Sequence, residues 1–289
     1  MKGIILAGGT GSRLFPMTLG VSKQLLPVAG KPLIYYPLST LMLSGIREIL
    51  IISTPVDLPR FCEVFGNGSH LGLSICYAEQ LAPNGIAEAL LISKEFVDGD
   101  SVALILGDNV FYGAGLSELL SRSLNQNAFD GAVCFTSPVA YPERFGVVEY
   151  DEQNQVISIE EKPVVPRSRY ALTGLYAFDR DAYMVASQLS PSVRGELEVT
   201  DVLSVYLNRN RLCAHRLDDG HVWFDTGTHE SLAEAHNFIT NQEAKTGLKI
   251  GCVEEIALSN GWIELQQVHA RGRAFSQSAY GQYLQNITG

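Results

Sequence analysis

Gly3-Ile4-Ile5-Leu6-Ala7-Gly8-Gly9-Thr10-Gly11-Ser12-Arg13-Leu14-Phe15-Pro16 stands at the front of the chain, followed shortly by Ser22-Lys23-Gln24-Leu25-Leu26-Pro27. Ile4 to Ala7 are consecutive apolar residues and predict a buried strand, after which glycines at 8, 9 and 11 turn the chain sharply. Glycines at that density let backbone N–H groups approach phosphate oxygens closely. With Ser12 in the same turn, Arg13 just beyond the last glycine and Lys23 further on, the stretch reads as a backbone cradle with two cations at its rim. Such a cradle suits a nucleoside triphosphate whose pyrophosphate must leave. A tight strand-to-helix turn bearing a surface arginine would use the same residues.

Two commoner glycine motifs do not fit. A dinucleotide fingerprint, G-x-G-x-x-G, running from Gly9 and Gly11 needs glycine where Leu14 stands, which also disfavours an NAD-dependent oxidoreductase. A P-loop closes on Gly-Lys-Ser/Thr, whereas this loop closes on Gly11-Ser12-Arg13. The full pattern, L-A-G-G-x-G-x-R-L-x-P with a later S-K-Q-L-L-P, resembles the sugar nucleotidyltransferases. Within that family it looks closest to the members that transfer thymidylyl to glucose 1-phosphate. The resemblance extends from Lys2 to Gly281-Gln282-Tyr283-Leu284.

Composition sets the outer bounds. The 289 residues are ample for a large core, and 46% hydrophobic against 18% charged residues is a globular balance. A net charge of −10 argues against nonspecific nucleic-acid binding, although a few local cations can still hold an anionic substrate. Met1-Lys2 leads straight into a core strand, so no signal peptide is expected, and no apolar run approaches the roughly 20 residues needed to span a bilayer. The cysteines at 62, 76, 134, 213 and 252 form no C-x-x-C pairs and read as reduced, buried small hydrophobes of a cytoplasmic protein.

Along the chain, Lys31-Pro32 predicts the start of a helix that ends at Ser44-Gly45. Strands are expected over 46–53, 73–78 and 101–106, with helices over 57–65 and 85–96 between them. This alternation implies an α/β fold, Rossmann-like, with a mostly parallel sheet flanked by helices and ligands beyond the carboxyl ends of the strands. The Gly8–Arg13 loop, Glu79-Gln80 and Gly107-Asp108-Asn109 all fall at such ends. Shorter strands over 131–137, 146–150, 156–161 and 171–178 suggest an antiparallel or mixed part. Helices over 181–189 and 199–208 and a strand over 211–217 precede His221-Val222-Trp223-Phe224-Asp225-Thr226-Gly227-Thr228, where Thr228 caps a helix from His229 to about Lys245. Helical spacing recurs in 253–258 and 263–268. The expected organisation is a catalytic domain over 1–240 with a small helical C-terminal appendage over 241–289.

Joining a nucleoside triphosphate to a sugar phosphate brings two polyanions together, so the residues must neutralise charge and align the reactants. Asp108 in Leu106-Gly107-Asp108-Asn109 and Asp225 in Trp223-Phe224-Asp225-Thr226-Gly227 are the candidate carboxylates. Each alone reads as a turn or helix-entry aspartate; the resemblance implies that together they hold Mg²⁺, and that Arg13 and Lys23 meet the triphosphate and the departing pyrophosphate. It likewise implies a base pocket of Gln24, Gln80 and Gly85 above the Gly8, Gly9, Gly11 and Ser12 loop. Glutamine offers donor and acceptor together, as a pyrimidine edge requires. Glu160-Glu161-Lys162-Pro163 resembles the family's E-E-K-P, which implies that Glu161 binds sugar hydroxyls and Lys162 meets phosphate; an exposed charged turn fits the same spacing. Asn109, Gly146, Leu172, Gly174 and Tyr176 carry over by resemblance as sugar contacts. Thr10 and Ser12 are swapped relative to the commonest family spelling, and Glu88 stands where glutamine is usual.

The expected activity is therefore Mg²⁺-dependent transfer of dTMP from dTTP to glucose 1-phosphate, by direct in-line attack at the α-phosphorus. The resemblance further implies a cytoplasmic homotetramer with a second nucleotide-sugar site for feedback, working at the start of bacterial deoxysugar synthesis such as that of dTDP-rhamnose for surface polysaccharide. Neither nucleic acid nor membrane is an expected partner. The same chemistry with UTP or CTP, and a non-catalytic nucleotide-sugar sensor, are the rival readings. No serine lies in a G-x-S-x-G setting, and nothing suggests a covalent intermediate.

Overall fold

The computed structural model describes residues 1–124, 130–217 and 220–288. In chain order, β1 (Lys2–Leu6) leads through the glycine loop to a short ribbon of β2 (Pro27–Val28) and β3 (Lys31–Pro32), then to α1 (Tyr35–Leu43). Next come β4 (Glu48–Ser53), α2 (Leu58–Phe65), β5 (Ser74–Glu79), α3 (Glu88–Ile92), α4 (Lys94–Val97) and β6 (Val102–Leu106). The middle holds β7 (Asn109–Gly113), α5 (Leu116–Leu124), β8 (Ala132–Pro138), β9 (Gly146–Tyr150), β10 (Val156–Glu161) and β11 (Tyr170–Phe178). Finally come α6 (Ala182–Ser187), α7 (Val199–Asn208), β12 (Leu212–Arg216), β13 (His221–Asp225), α8 (His229–Thr246), α9 (Val253–Ser259), α10 (Leu265–Ala274) and α11 (Ala279–Asn286).

β5, β4, β1 and β6 are parallel, in that order across the sheet. β11 continues the sheet antiparallel to β6, and it carries both the β9–β10 hairpin and the β8–β12 pair. The near-continuous apolar runs of the central strands follow from burial on both faces. Ile5, Ile49, Ile51, Ile105 and Leu175 point to one side, against Leu41 of α1, Phe61 of α2, Leu120 of α5 and Val253, Val268 and Leu284 from the C-terminal helices. Ile4, Leu50, Ile52, Leu104 and Tyr176 point to the other, against Leu90 of α3, Val185 of α6 and Leu203 of α7. Each such side chain contributes about 1.5–3 kcal/mol on burial, so the two apolar layers hold the strand ends, and hence the site loops, in register.

Several elements depart from the expectations. Lys31-Pro32 does not begin a helix: Lys31 pairs with Val28 in the β2–β3 ribbon, and its ammonium is buried 2.7 Å from Glu243 of α8, so the helix begins only at Tyr35. The helix expected over 85–96 starts at Glu88 and is interrupted at Ser93. Gly85 has φ +109°, outside the helical region, and the backbone around it is tied to Leu197 through Leu197 N–H to Asn84 and Ala87 N–H to Leu197. Cys134 and Cys252 are buried, but Cys62, Cys76 and Cys213 are exposed; all five are free thiols. β7 and α5 were not anticipated. Thr228 does cap α8, accepting the Ser231 N–H while the Ser231 hydroxyl accepts the Thr228 N–H. Among the described residues no helix is long and apolar enough to cross a membrane.

Candidate active site

Two features of local structure bring the candidate carboxylates together. Asp108 follows β6 directly, and the chain then enters β7 rather than a helix. β7 pairs antiparallel with β13, in a register that sets Asn109 opposite Asp225. Thr226 completes the junction, with its N–H and its hydroxyl both donating to the Asp108 carbonyl at 3.2 and 2.8 Å. The two aspartates thus sit side by side at the open end of the parallel strands.

The surroundings shift their carboxyls in opposite directions. Burial works to raise the Asp108 carboxyl, but the Lys23 ammonium and hydrogen bonds from Lys23 and Asn109 outweigh it and hold the group below the usual carboxylate range. Asp225 is pushed up, first by burial and then by the Asp108 charge, against the pull of Lys23, Arg13 and Arg144. Paired buried carboxylates that repel each other fit a hard divalent cation, which prefers oxygen ligands. Among the described residues no group of three or more His, Cys, Asp or Glu could form a protein-only cage. Asp108 and Asp225 are the residues that would hold such a cation.

Two cavities adjoin at this point, sharing Ile86, Leu106 and Asp108 in their walls. The first, about 210 Å³, is lined by Gly8, Gly9, Gln24, Gln80 and Gly85. Only glycine fits at 85, where a Cβ would lie 2.3 Å from the Leu197 carbonyl oxygen, and a Cβ on Gly8 would lie 2.6 Å from the Gln80 Oε1 and force that side chain to shift. The second cavity, about 250 Å³, is lined by Arg13, Asn109, Gly146, Glu161 and Lys162, with Leu172, Gly174, Tyr176 and Asp225. It lies where β11 bulges: the register against β8 shifts between Leu172 and Tyr176. Asn109 is the brace of this region, its Oδ1 accepting from Gly174 N–H and Trp223 Nε1–H while its amide donates to Asp108.

Of the other expected residues, Lys23, Gly11 and Ser12 lie nearby without lining either cavity, whereas Arg13, Glu161 and Lys162 stand in the wall of the second. Lys23 reaches Asp108 directly. Gly11, at φ +60°, opens the short helical turn 12–14, and Ser12 stands exposed within it. Arg13 lays its guanidinium across Gly227, where a Cβ would come within 2.6 Å of Nη2. Lys162 holds a left-handed backbone, φ +42°, which positions it at the cavity edge beside Glu161. Burial, then the Glu198 charge, raises the Glu161 carboxyl above the ordinary range, with Lys162 and Arg194 opposing.

Sequence reasoning passed over Arg144, Trp223 and Arg194. Arg144 and Trp223 line the second cavity, and Arg194 bonds Glu161, Glu196 and Glu198. Arg144 and Trp223 lie inside quoted motifs, but only the fold shows that they face the cavity. A larger cavity, about 640 Å³, lies at the amino ends of β8 and β12 and includes neither Asp108 nor Asp225.

The site geometry agrees with what the chain is similar to. A family profile described as nucleotidyl transferase matches residues 2–242. The glucose-1-phosphate thymidylyltransferase of Neisseria meningitidis serogroup A is 50% identical over 284 residues, covering 98% of each chain. That of Mycobacterium tuberculosis strain H37Rv is 49% identical over the same length and coverage. Among solved structures, a Bacillus anthracis protein described as a glucose-1-phosphate thymidylyltransferase, in complex with a sucrose, superposes with a TM-score of 0.76 at 40% identity, covering 83% of this chain and 96% of that one. A UDP-glucose pyrophosphorylase complexed with UDP-glucose shares the fold, with a TM-score of 0.72 at 23% identity over 83% of this chain and 98% of that one. The chain belongs to the nucleotidyl transferase family, in the group of the glucose-1-phosphate thymidylyltransferases.

Proposed function

We propose that the chain transfers dTMP from dTTP to glucose 1-phosphate, giving dTDP-glucose and pyrophosphate. The observation that carries this is the pair of cavities meeting at Asp108, one walled by the glycine loop and two glutamines, the other by the β11 bulge and Glu161. A base fits the first and a hexose the second, which leaves their phosphates to meet over the two aspartates.

The sugar-phosphate oxygen attacks the α-phosphorus in line, one P–O bond forming as the bond to pyrophosphate breaks. No residue is required as a nucleophile, and positioning with charge neutralisation does the work. Arg13 clamps triphosphate oxygens with its planar fork, and Lys23 adds a point charge beside Asp108. Asp108 and Asp225 would hold Mg²⁺, which supplies neutralising charge to the phosphates. Glu161 accepts from sugar hydroxyls, and Lys162 and Arg144, both in the wall of the second cavity, border the sugar phosphate. We assign the catalytic unit to 1–240 and the appendage to 241–289, and we expect a cytoplasmic homotetramer.

Pyrophosphate release with Mg²⁺ and glucose 1-phosphate, compared across dTTP, UTP, CTP, ATP and GTP, tests the reading. Preference for dTTP is the expected result; no release with any nucleotide overturns it. The raised Glu161 carboxyl adds a pH signature. Because the group is charged only above its raised value, acidification neutralises it sooner than an ordinary glutamate, and KM for glucose 1-phosphate should climb as pH falls. Glu161→Gln should raise that KM by about tenfold, the scale of a lost hydrogen bond to a charged group, and flatten its pH dependence. A profile unchanged by the substitution would remove Glu161 from sugar binding.

A further inference from the structure

Gln80 is 6% exposed, and its amide is fully committed on one side. Its Nε2 donates to the Glu88 carboxylate at 2.7 Å and more weakly to the Gly85 carbonyl at 3.4 Å. The other Glu88 oxygen accepts from the Asn84 amide at 2.8 Å, which fixes the carboxylate in turn. A carboxylate can only accept, so the end of Gln80 facing Glu88 must be its NH₂ group. The Oε1 is then driven to the opposite side, against Gly8 in the wall of the smaller cavity. An acidic side chain in the first turn of α3 would be ordinary helix chemistry by itself. That role does not require contact with Gln80.

We infer that Glu88 is a positioning residue that locks the Gln80 amide with its carbonyl facing the base, so that the pocket selects a base edge carrying an imide N–H. Thymine and uracil present such a donor at N3, whereas cytosine presents an acceptor there and would meet the Gln80 oxygen lone pair to lone pair. Gln24 complements this: its Oε1 accepts from Ser22 at 2.8 Å and its NH₂ donates weakly to the Gly8 carbonyl at 3.4 Å, so what it can offer a base is the remaining N–H of that NH₂. The pocket therefore shows one fixed acceptor and one donor, the complement of an imide N–H flanked by a carbonyl. A buried acceptor that loses its donor is costly, which converts a fixed amide orientation into discrimination.

The inference rests on the nucleotide-transfer reading, and the test separates the two. Discrimination between dTTP and dCTP is measured as kcat/KM with Mg²⁺ and glucose 1-phosphate. It is measured again as Kd by calorimetry without glucose 1-phosphate, which needs no turnover. Glu88→Leu frees the amide to rotate and should reduce the dTTP-to-dCTP ratio by about tenfold, mostly through KM for dTTP. Glu88→Gln can still offer a carbonyl to the Gln80 NH₂ and should keep the ratio within about threefold of the original. Glu88→Lys offers only donors, so Gln80 should turn round; the ratio should fall further and dCTP should bind tighter than it does to the unaltered chain. A purely structural role would weaken both nucleotides together. Ratios unchanged in folded Glu88→Leu and Glu88→Lys proteins would overturn the inference while leaving the transfer reaction intact. An unaltered chain that bound dCTP as well as dTTP would overturn it at the pocket itself.

Discussion

Asp108→Asn should lower turnover on the order of 10³-fold, because the substitution removes the negative charge that a divalent cation requires while retaining nearly the same shape. The fold should survive. The backbone carbonyl of Asp108 keeps both bonds from Thr226, and the single amide oxygen can still accept from Lys23, at the loss of the bond from Asn109 to the other carboxylate oxygen. Circular dichroism and the thermal midpoint should therefore change little, while pyrophosphate release collapses at every Mg²⁺ concentration. Asp225→Asn makes the useful comparison, since burial and the Asp108 charge push the Asp225 carboxyl up while that of Asp108 is held down. Near-normal turnover in Asp108→Asn would remove Asp108 from the metal site.

Arg13→Ala should cost about 10²-fold or more in kcat, the scale of removing one charge donor from a transition state. Arg13 is exposed and contributes little to the core, so stability should be almost unaffected. Its guanidinium lies over Gly227 and next to Asp225, where leaving-group charge would develop. Arg13→Lys should recover only part of the loss, since an ammonium cannot reproduce a planar fork. The check is the split between kcat and KM for dTTP: a change under about threefold in kcat would reduce Arg13 to a surface cation.

Much of this architecture was legible because its signals are local. β1, β4 and β6 announce themselves as apolar runs, and the residues following each strand are displayed at the strand ends whatever the remainder of the chain does. That is why the Gly8–Arg13 loop, Gln80 and Asp108 could be placed at one edge of a parallel sheet without knowing the strand order. The β7–β13 ribbon was not legible. Asn109–Gly113 is a short segment whose strand character depends on a partner far along the chain, and no periodicity records that partner. Its omission left Asp108 and Asp225 related only by resemblance to a family, not by geometry. Lys31 misled for a similar reason: lysine followed by proline is a good local helix start, but a buried ion pair with Glu243 decided the backbone there. Glu88 was visible as an unusual letter, and only the hydrogen bonds to Gln80 and Asn84 give it a role.

The bond from the Thr226 hydroxyl to the Asp108 carbonyl spans 118 residues of sequence. All of β8 to β12 lies between the two partners, so the contact closes a long loop and cannot form until that stretch has been made. During synthesis, where amino-terminal parts emerge first, the glycine loop and both glutamines leave the ribosome well before the second carboxylate, and the Leu197 backbone that fixes Gly85 follows in between. No amino-terminal fragment ending before β13 contains the aspartate pair. Turnover in this protein is thus an assay of completed tertiary structure.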